Sequence, residues 1–364
     1  MIARRRRIAA QWTTLVPLLA VVLLVLTWGR DLPVVVVALV TLVLAGAVLA
    51  AVHHAEVVAH RVGEPFGSLV LAIAVTIIEV ALIVTLMVDG GDKSATLARD
   101  TVFAAVMITC NGIVGLLVAS LRHGTAVFNP EGTGAALATV ATLATLSLVL
   151  PTFTTSKPGP EFSTVQLTFA ALSSLILYGL FVATQTVRHR DYFLPITRHG
   201  EVITAEEHAE APTALTARTS LALLGLALVG VVGLAKGVSP TIESGVEAAG
   251  LPHAVVGVII ALLVLLPETI AALRSARRDR VQTSLNLALG SAMASIGLTI
   301  PAVALASVWL SGPLVLGLGS THMVLLALTV VVASLTVVPG RATPLQGGVH
   351  LVLLAAYLEL AINP

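Results

Sequence analysis

The stretch FGSLVLAIAVTIIEVALIVTLMV, residues 66–88, holds a single ionisable side chain, Glu79, thirteen residues in from Phe66. Roughly twenty apolar residues span a bilayer core, so the stretch reads as a transmembrane helix with an acid at mid-depth. A second stretch, AVVGVIIALLVLLPETIAAL at 254–273, repeats the arrangement around Glu268. Placing a charge at the centre of a membrane helix costs about 2.5–3.5 kcal/mol on insertion scales, which makes each acid a functional candidate by default.

The rest of the chain agrees with a membrane setting. Apolar residues make up 57% of the 364 and charged residues only 11%, where a soluble domain carries about 25% charged side chains. A net charge of +1 and an aromatic share of 4% leave neither a basic surface nor stacking platforms for nucleic acid. The single cysteine, Cys110, has no internal disulfide partner and reads as a small buried side chain. Spans are expected at 13–29, 33–52, 66–88, 100–121, 135–151, 164–186, 218–236, 252–273, 282–308, 313–334 and 345–362, eleven helices in all. The N-terminal run Arg4 to Arg7 before an apolar stretch looks like a secretory leader. No small-residue cleavage site follows, so it reads as a retained first helix.

Basic residues cluster at the ends of spans that face the cytoplasm, which tests this count. With the N-terminus inside, Arg4 to Arg7, Arg61, Arg122, Arg188, Arg190, Arg198, Arg218, Arg274, Arg277, Arg278, Arg280 and Arg341 lie inside. Only Arg30, Lys93, Arg99, Lys157 and Lys236 lie outside, five of the 20. The eleven spans divide into one plus five plus five, and because five is odd the second set enters the membrane from the opposite side. The expected organisation is therefore an all-α membrane protein. It has an N-terminal basic segment and first helix (1–30), a first five-helix repeat (31–186), a cytoplasmic linker (187–217) and a second, inverted five-helix repeat (218–364). Inverted repeats with a site at their midplane interface are a recurrent transporter plan. The linker carries Glu201, Glu206, Glu207 and Glu210 among His199 and His208. It reads as a solvated connector, an acidic cation-sensing segment being the sharper alternative.

Several segments carry chemistry. Pro267 has no amide to donate to the carbonyl of Leu263, which frees a carbonyl one turn from Glu268. Such irregular backbone is tolerated at membrane depth where it lines a cavity. The following helix is rich in hydroxyls, amides and small residues: Gln282, Thr283, Ser284, Asn286, Gly290, Ser291, Ser295, Thr299 and Pro301. Close helix contact explains part of that composition; neutral oxygen ligands are the functional reading. The corresponding first-half helix offers Thr101, Thr109, Asn111, Gly112 and Gly115. Carboxylates with neutral oxygens suit a hard cation such as calcium, which takes about six to eight oxygen ligands, and no thiolate or imidazole cluster points to zinc or copper. His53, His54 and His60 with Glu56 lack the HExxH spacing of a zinc hydrolase. The fragment Gly319-Ser320-Thr321-His322 is too short to argue for a serine hydrolase. His350 and Glu359 in the last span are packing groups or, for His350, a proton relay.

The run EVVAHRVGEPFGSLVLAIAVTIIE, residues 56–79, resembles the first signature of the calcium/cation antiporter superfamily in its calcium/proton exchanger branch. Members of that branch have a glutamate ahead of LGE-x-x-G-x-L and close with GN-x-x-E. Glu56, Gly63, Glu64, Gly67, Leu69 and Glu79 match in register, while Val75-Thr76 stands in place of GN. In the second half Val264-Leu265 replaces GN ahead of Glu268, and Gly290, Ser291 and Pro301 fit the glycine- and serine-rich helix that follows. HAEVVAHRVGEPFGSL, RDTVF, LPE, TSLNLALGSAMASIGLTIP, PGR and HLVLLAAYL are similar to a bacterial branch with PE at this place.

The resemblance implies one peripheral helix plus two inverted five-helix repeats with Glu79 and Glu268 at the centre. It also implies a secondary antiporter of the bacterial inner membrane that exchanges cytoplasmic Ca2+ for external protons without a cofactor. Sodium or potassium is the alternative cargo, and an uncoupled cation channel the alternative mechanism. Glu79 and Glu268 are then the expected cation and proton carboxylates, Thr76, Asn286 and Ser291 the candidate neutral ligands, and Glu56 and Glu64 the ion-entrance or gating groups. The partners are the lipid bilayer and the transported ions.

Overall fold

Helix ends in this chain are set by residues that cannot continue a helix. The computed structural model describes residues 2–30, 32–63, 66–90, 95–119, 124–196, 212–278, 280–309 and 312–364. Helices α1 (Ile2–Thr27) and α2 (Val34–Val62) are separated by Gly29 and Pro33. Gly63, at φ 77°, ends α2 ahead of α3 (Phe66–Gly90). The fourth span is α4 (Leu97–Met107), a π-helical segment (Ile108–Ile113) and α5 (Val114–Ala119). Then come α6 (Pro130–Ala144), capped by Asn129, and α7 (Thr164–Ala183), which starts with a Ser163/Gln166 capping box. The remaining helices are α8 (Ala214–Ala248), α9 (Ala254–Ala276), α10 (Val281–Ala306), α11 (Ser320–Val337) and α12 (Pro344–Ile362).

Ten helical stretches among the described residues are long and apolar enough to cross a membrane, with Trp12–Thr27 a shorter eleventh. Four boundaries differ from the expected spans by seven residues or more, the first being the start of α1, at Ile2 rather than near 13. Helix α2 runs to Val62 rather than stopping near 52, because nothing in HHAEVVAHRV breaks a helix before Gly63. Helix α8 passes Lys236 and Pro240 to reach Ala248. Helix α11 starts at Ser320, not near 313, because the residues before it are drawn out into an extended strap. There Val315 N donates to Ala95 O (3.1 Å), Gly317 N to Pro160 O (3.0 Å) and Leu318 N to Leu148 O (2.8 Å).

The chain divides into two compact units, residues 1–89 with 207–250 and residues 90–206 with 251–364. In the first, α1, α2 and α8 pack together. His54, 4% exposed, ties all three: its Nε2 lies 2.9 Å from Thr13 O and its Nδ1 3.3 Å from Ser220 Oγ. A carbonyl only accepts, so Nε2 carries the proton.

In the second unit α10 packs against α4, α6, α7 and α9. Ser284 Oγ on α10 donates to Ala272 O on α9 at 2.7 Å, fixing the register of that antiparallel pair. Helix α4 approaches α9 closely at Gly257, where a Cβ would stand 3.0 Å from the backbone of Asp100 and Thr101. A two-residue antiparallel ribbon pairs Ala126 with Ala342 and Val127 with Arg341, and Asn129 N donates to Gln282 Oε1 at 2.7 Å beside it.

Candidate functional site

Glu79 is carried by α3 and is 2% exposed, inside a span whose other described residues are almost all apolar. Thr76, 7% exposed, precedes it by three residues and therefore occupies the same helical face. Ile78, Leu82 and Ile83 on the same helix are also buried.

Glu268 sits on α9 directly after Pro267, which lies inside a helix that continues to Ala276. The residue is half-buried and its Oε2 is enclosed. Counting from the Ser284–Ala272 bond, Glu268 lies one turn before Ala272 and is thus level with Ala288 on α10. Ser291, half-buried, is about 4.5 Å further along α10 at a rise of 1.5 Å per residue. A helical side chain leans toward the start of its own helix, which on α9 is the direction of Ser291. The register therefore brings Glu268 and Ser291 to one level.

Asn286 is placed differently. Its Nδ2 donates to Phe193 O at 2.7 Å and its Oδ1 accepts from Gln282 Nε2 at 2.9 Å. The Nδ2 bond holds a 3-10 turn (Arg190–Phe193) against α10, and the Oδ1 bond stays within α10, one turn back. Glu56 is exposed near the end of α2, and Glu64 lies outside the described residues, as do Glu201, Glu206, Glu207 and Glu210 of the linker. Among the described residues no group of three or more His, Cys, Asp or Glu could hold a metal ion.

The π-helical segment belongs to the same region. Helices α4 and α9 are four crossings apart and run in the same direction. With Asp100 and Thr101 against Gly257, the ten residues on to Asn111 bring it to the depth of Pro267 and Glu268. The segment packs against both α9 and α10. Single π turns interrupt helices at functional sites more often than elsewhere.

Asn111, fully buried, donates from Nδ2 to Thr329 Oγ1 at 2.9 Å, and its Oδ1 lies 3.0 Å from His350 Nδ1. His350 Nε2 in turn meets Thr336 Oγ1 at 3.1 Å. Sequence reading had no hold on Thr329 and Thr336. The available signal was the spacing of seven in His322, Thr329 and Thr336 on α11 and in His350 and Tyr357 on α12, which stacks each set on one helical face.

Two further hydroxyls, Thr101 Oγ1 on α4 and Thr299 Oγ1 on α10, are enclosed without a hydrogen-bond partner, and both residues are 0% exposed. Thr299 lies fifteen residues beyond Ser284 and Gly257 fifteen before Ala272, so the two hydroxyls share one depth. Nearby, Asp100 is 5% exposed and accepts from Arg99 Nε and Thr96 Oγ1, each at 2.8 Å.

Residues 32–187 and, separately, 219–363 match the sodium/calcium exchanger protein family. The chain belongs to that family. Glu79 falls 47 residues past the start of the first match at 32, and Glu268 falls 49 past the start of the second at 219. The two acids therefore occupy corresponding places in two copies of one unit. Each copy holds five spans, so the second is inverted relative to the first.

A Sinorhizobium fredii chain, y4hA, is 47% identical over 363 residues, 97% of this chain and 96% of that one. The sodium-potassium/proton antiporter ChaA of Escherichia coli is 36% identical over 349 residues, 94% and 93% of the two chains. Among solved structures, YfkE superposes with a TM-score of 0.70 at 17% identity, covering 97% of this chain and 99% of that one. The H+/Ca2+ exchanger CAX superposes with a TM-score of 0.69 at 14% identity, covering 97% and 88%. The protein is thus a multi-pass membrane transporter of the cation exchanger class and not an enzyme.

Proposed function

We infer that the protein is a cation/proton antiporter of the bacterial inner membrane, exporting cytoplasmic Ca2+ in exchange for external protons. The observation that carries this reading is the pair Glu79 and Glu268, single acids at corresponding depths of two inverted family repeats. A carboxylate in an apolar span is stabilised either by a proton or by a bound cation, since a bare charge there is costly. Each acid can therefore hold one or the other, and a site that must exchange them to cross the membrane couples the two flows. Ser291 and Thr76 supply neutral oxygens beside the acids, and Pro267 leaves the Leu263 carbonyl without its helical donor. Asn286 also braces α10 through its bonds with Phe193 O and Gln282 Nε2, and its Oδ1 keeps a second lone pair for a cation.

Two carboxylates exchanging one Ca2+ for two protons leave the charge across the membrane unchanged, so the pH and cation gradients alone would drive the cycle. The distribution of arginines supports an N-terminus in the cytoplasm. Sodium or potassium is the second reading of the cargo. It is supported by the antiporter ChaA and by Val75-Thr76 and Val264-Leu265, which leave fewer amide oxygens than calcium's shell commonly uses.

Proton movement in everted membrane vesicles tests the reading. On adding Ca2+, Na+ or K+ separately, the wild type is expected to release protons with at least one cation, and Glu79→Gln to release none. Undiminished release in Glu79→Gln would remove that acid from the exchange site.

A further inference from the structure

We propose that a groove between α7 and the outer end of α10 binds one phospholipid of the extracytoplasmic leaflet, selected by a headgroup that carries both a phosphate and a primary ammonium.

The groove opens where the two helices stop touching closely. They meet at Gly297 on α10, where a Cβ would stand 2.8 Å from Tyr178 Cβ on α7. Four residues further along α10, Pro301 has no amide to bond Gly297 O, and a proline inside a helix bends it. From Pro301 outward the facing surfaces line a cavity of about 640 Å³, within the range of about 300–1,000 Å³ typical of small-molecule sites. Leu175 and Ala171 stand three and seven residues before Tyr178, and Ala304 and Val308 seven and eleven after Gly297. That spacing continues the two faces that make the contact. The cavity therefore separates surfaces that would otherwise pack on each other.

Its length matches one leaflet. Thr164, at the start of α7, and Leu175 both line it. Eleven residues at 1.5 Å each span about 16 Å, against about 15 Å for half of a bilayer core. Beside the groove Leu172 and Ile176 on α7 are 55% and 62% exposed, and Leu305 and Val308 on α10 are 61% and 73% exposed. Water gains little there, because the lining hydroxyls are already committed: Thr168 Oγ1 donates to Thr164 O and Ser307 Oγ to Ala304 O, each at 2.8 Å. An acyl chain restores the dispersion contacts that an empty apolar wall forgoes.

The mouth selects the headgroup. Among the described residues, Lys157 and Glu161 are the charged side chains of the lining. Lys157 Nζ lies 3.5 Å from Glu161 Oε2, and the lysine side chain is 48% exposed. A long, exposed pair of this kind is weak and opens readily. A phosphate then takes the ammonium of Lys157, while a primary ammonium, with N–H groups to donate, takes the carboxylate of Glu161. A headgroup bearing both charges leaves neither side chain without a partner. An anionic headgroup lacking the ammonium leaves Glu161 facing a phosphate, and a trimethylated ammonium has no N–H to donate.

The test uses the full-length protein in detergent with equal amounts of phosphatidylethanolamine, phosphatidylglycerol and phosphatidylcholine of identical acyl chains. Native mass spectrometry reads the lipid retained per chain. The wild type is expected to hold one lipid, with phosphatidylethanolamine enriched about tenfold, the discrimination that one charge-assisted hydrogen bond supplies. Glu161→Gln is expected to keep a lipid and lose the enrichment, and Lys157→Gln to weaken retention of all three alike. Ala304→Trp fills the groove and is expected to retain none. A wild type without bound lipid, or an enrichment that survives Glu161→Gln, would overturn the proposal, as would undiminished retention in Ala304→Trp. A dimer in place of bound lipid, disrupted by Ala304→Trp, would assign the groove to a second copy of the chain and overturn it equally. Thermal unfolding reports whether Ala304→Trp folds, and the two substitutions at the mouth decide the outcome if it does not.

Discussion

Asn111 Oδ1 and His350 Nδ1 lie 3.0 Å apart, joining the π segment of the fourth span to α12 across 239 residues of sequence. A truncation at this point strands two buried partners, His350 and Thr329. Asn111→Ala is expected to cost about 1–3 kcal/mol, the usual penalty for leaving a buried polar group unpaired. Thermal unfolding in detergent reads it as a lowered midpoint, with Asn111→Gln intermediate.

Helices α5 and α12 meet at two glycines. A Cβ on Gly347 would stand 2.7 Å from Ala119 N and 2.9 Å from Gly115 O, whereas one on Gly348 would meet nothing within 4 Å. Backbone atoms cannot step aside as a flexible side chain can, so Gly347→Ala is expected to destabilise by about 1–3 kcal/mol. Gly348→Ala should be neutral or stabilising by about 0.5–1 kcal/mol through helix propensity. Parallel unfolding of the two variants checks the contrast.

Much of the architecture is legible in the sequence because membrane helices announce themselves by uninterrupted apolar length. Glu79 stands out for the same reason, as the one charge in its run, and it is buried. What stayed hidden depends on partners remote in sequence. Asn286 sits among small and hydroxylated residues and reads as a ligand, yet its amide reaches the Phe193 carbonyl 93 residues away. The π segment at Ile108–Ile113 has no local signature, since Thr, Cys, Asn and Gly are as compatible with an ordinary helix break. The extension of α2 to Val62 was missed because polar residues near a span end look like a loop, although none of them disfavours a helix.

Removing an unsatisfied hydroxyl at constant shape separates fold from function. Thr299→Val is expected to leave stability unchanged or to raise it by about 1 kcal/mol, because the buried hydroxyl has no partner to lose. Cation exchange is expected to slow several-fold if that oxygen serves the moving ion. Unfolding and transport measured on the same preparation distinguish the two effects; slowed transport with lost stability would point to packing alone.

The orientation is testable with single cysteines, because the native Cys110 is 1% exposed and gives little background. Lys157, 48% exposed by its side chain, is expected on the outer face, and Arg341, also exposed, on the cytoplasmic face. Lys157→Cys should react with an impermeant maleimide on intact cells, and Arg341→Cys only after the membrane is opened. The reverse pattern would invert the topology.

The central claim is that acids within the membrane couple a cation to protons, and Glu268→Gln tests it most directly. In proteoliposomes under an imposed pH gradient, the wild type is expected to move protons when Ca2+, Na+ or K+ is added. The variant should move fewer than about one-hundredth as many, a loss equivalent to roughly 2.7 kcal/mol of coupling. Proton movement of wild-type size in Glu268→Gln, or cation flux through the wild type with no proton movement, would contradict the account.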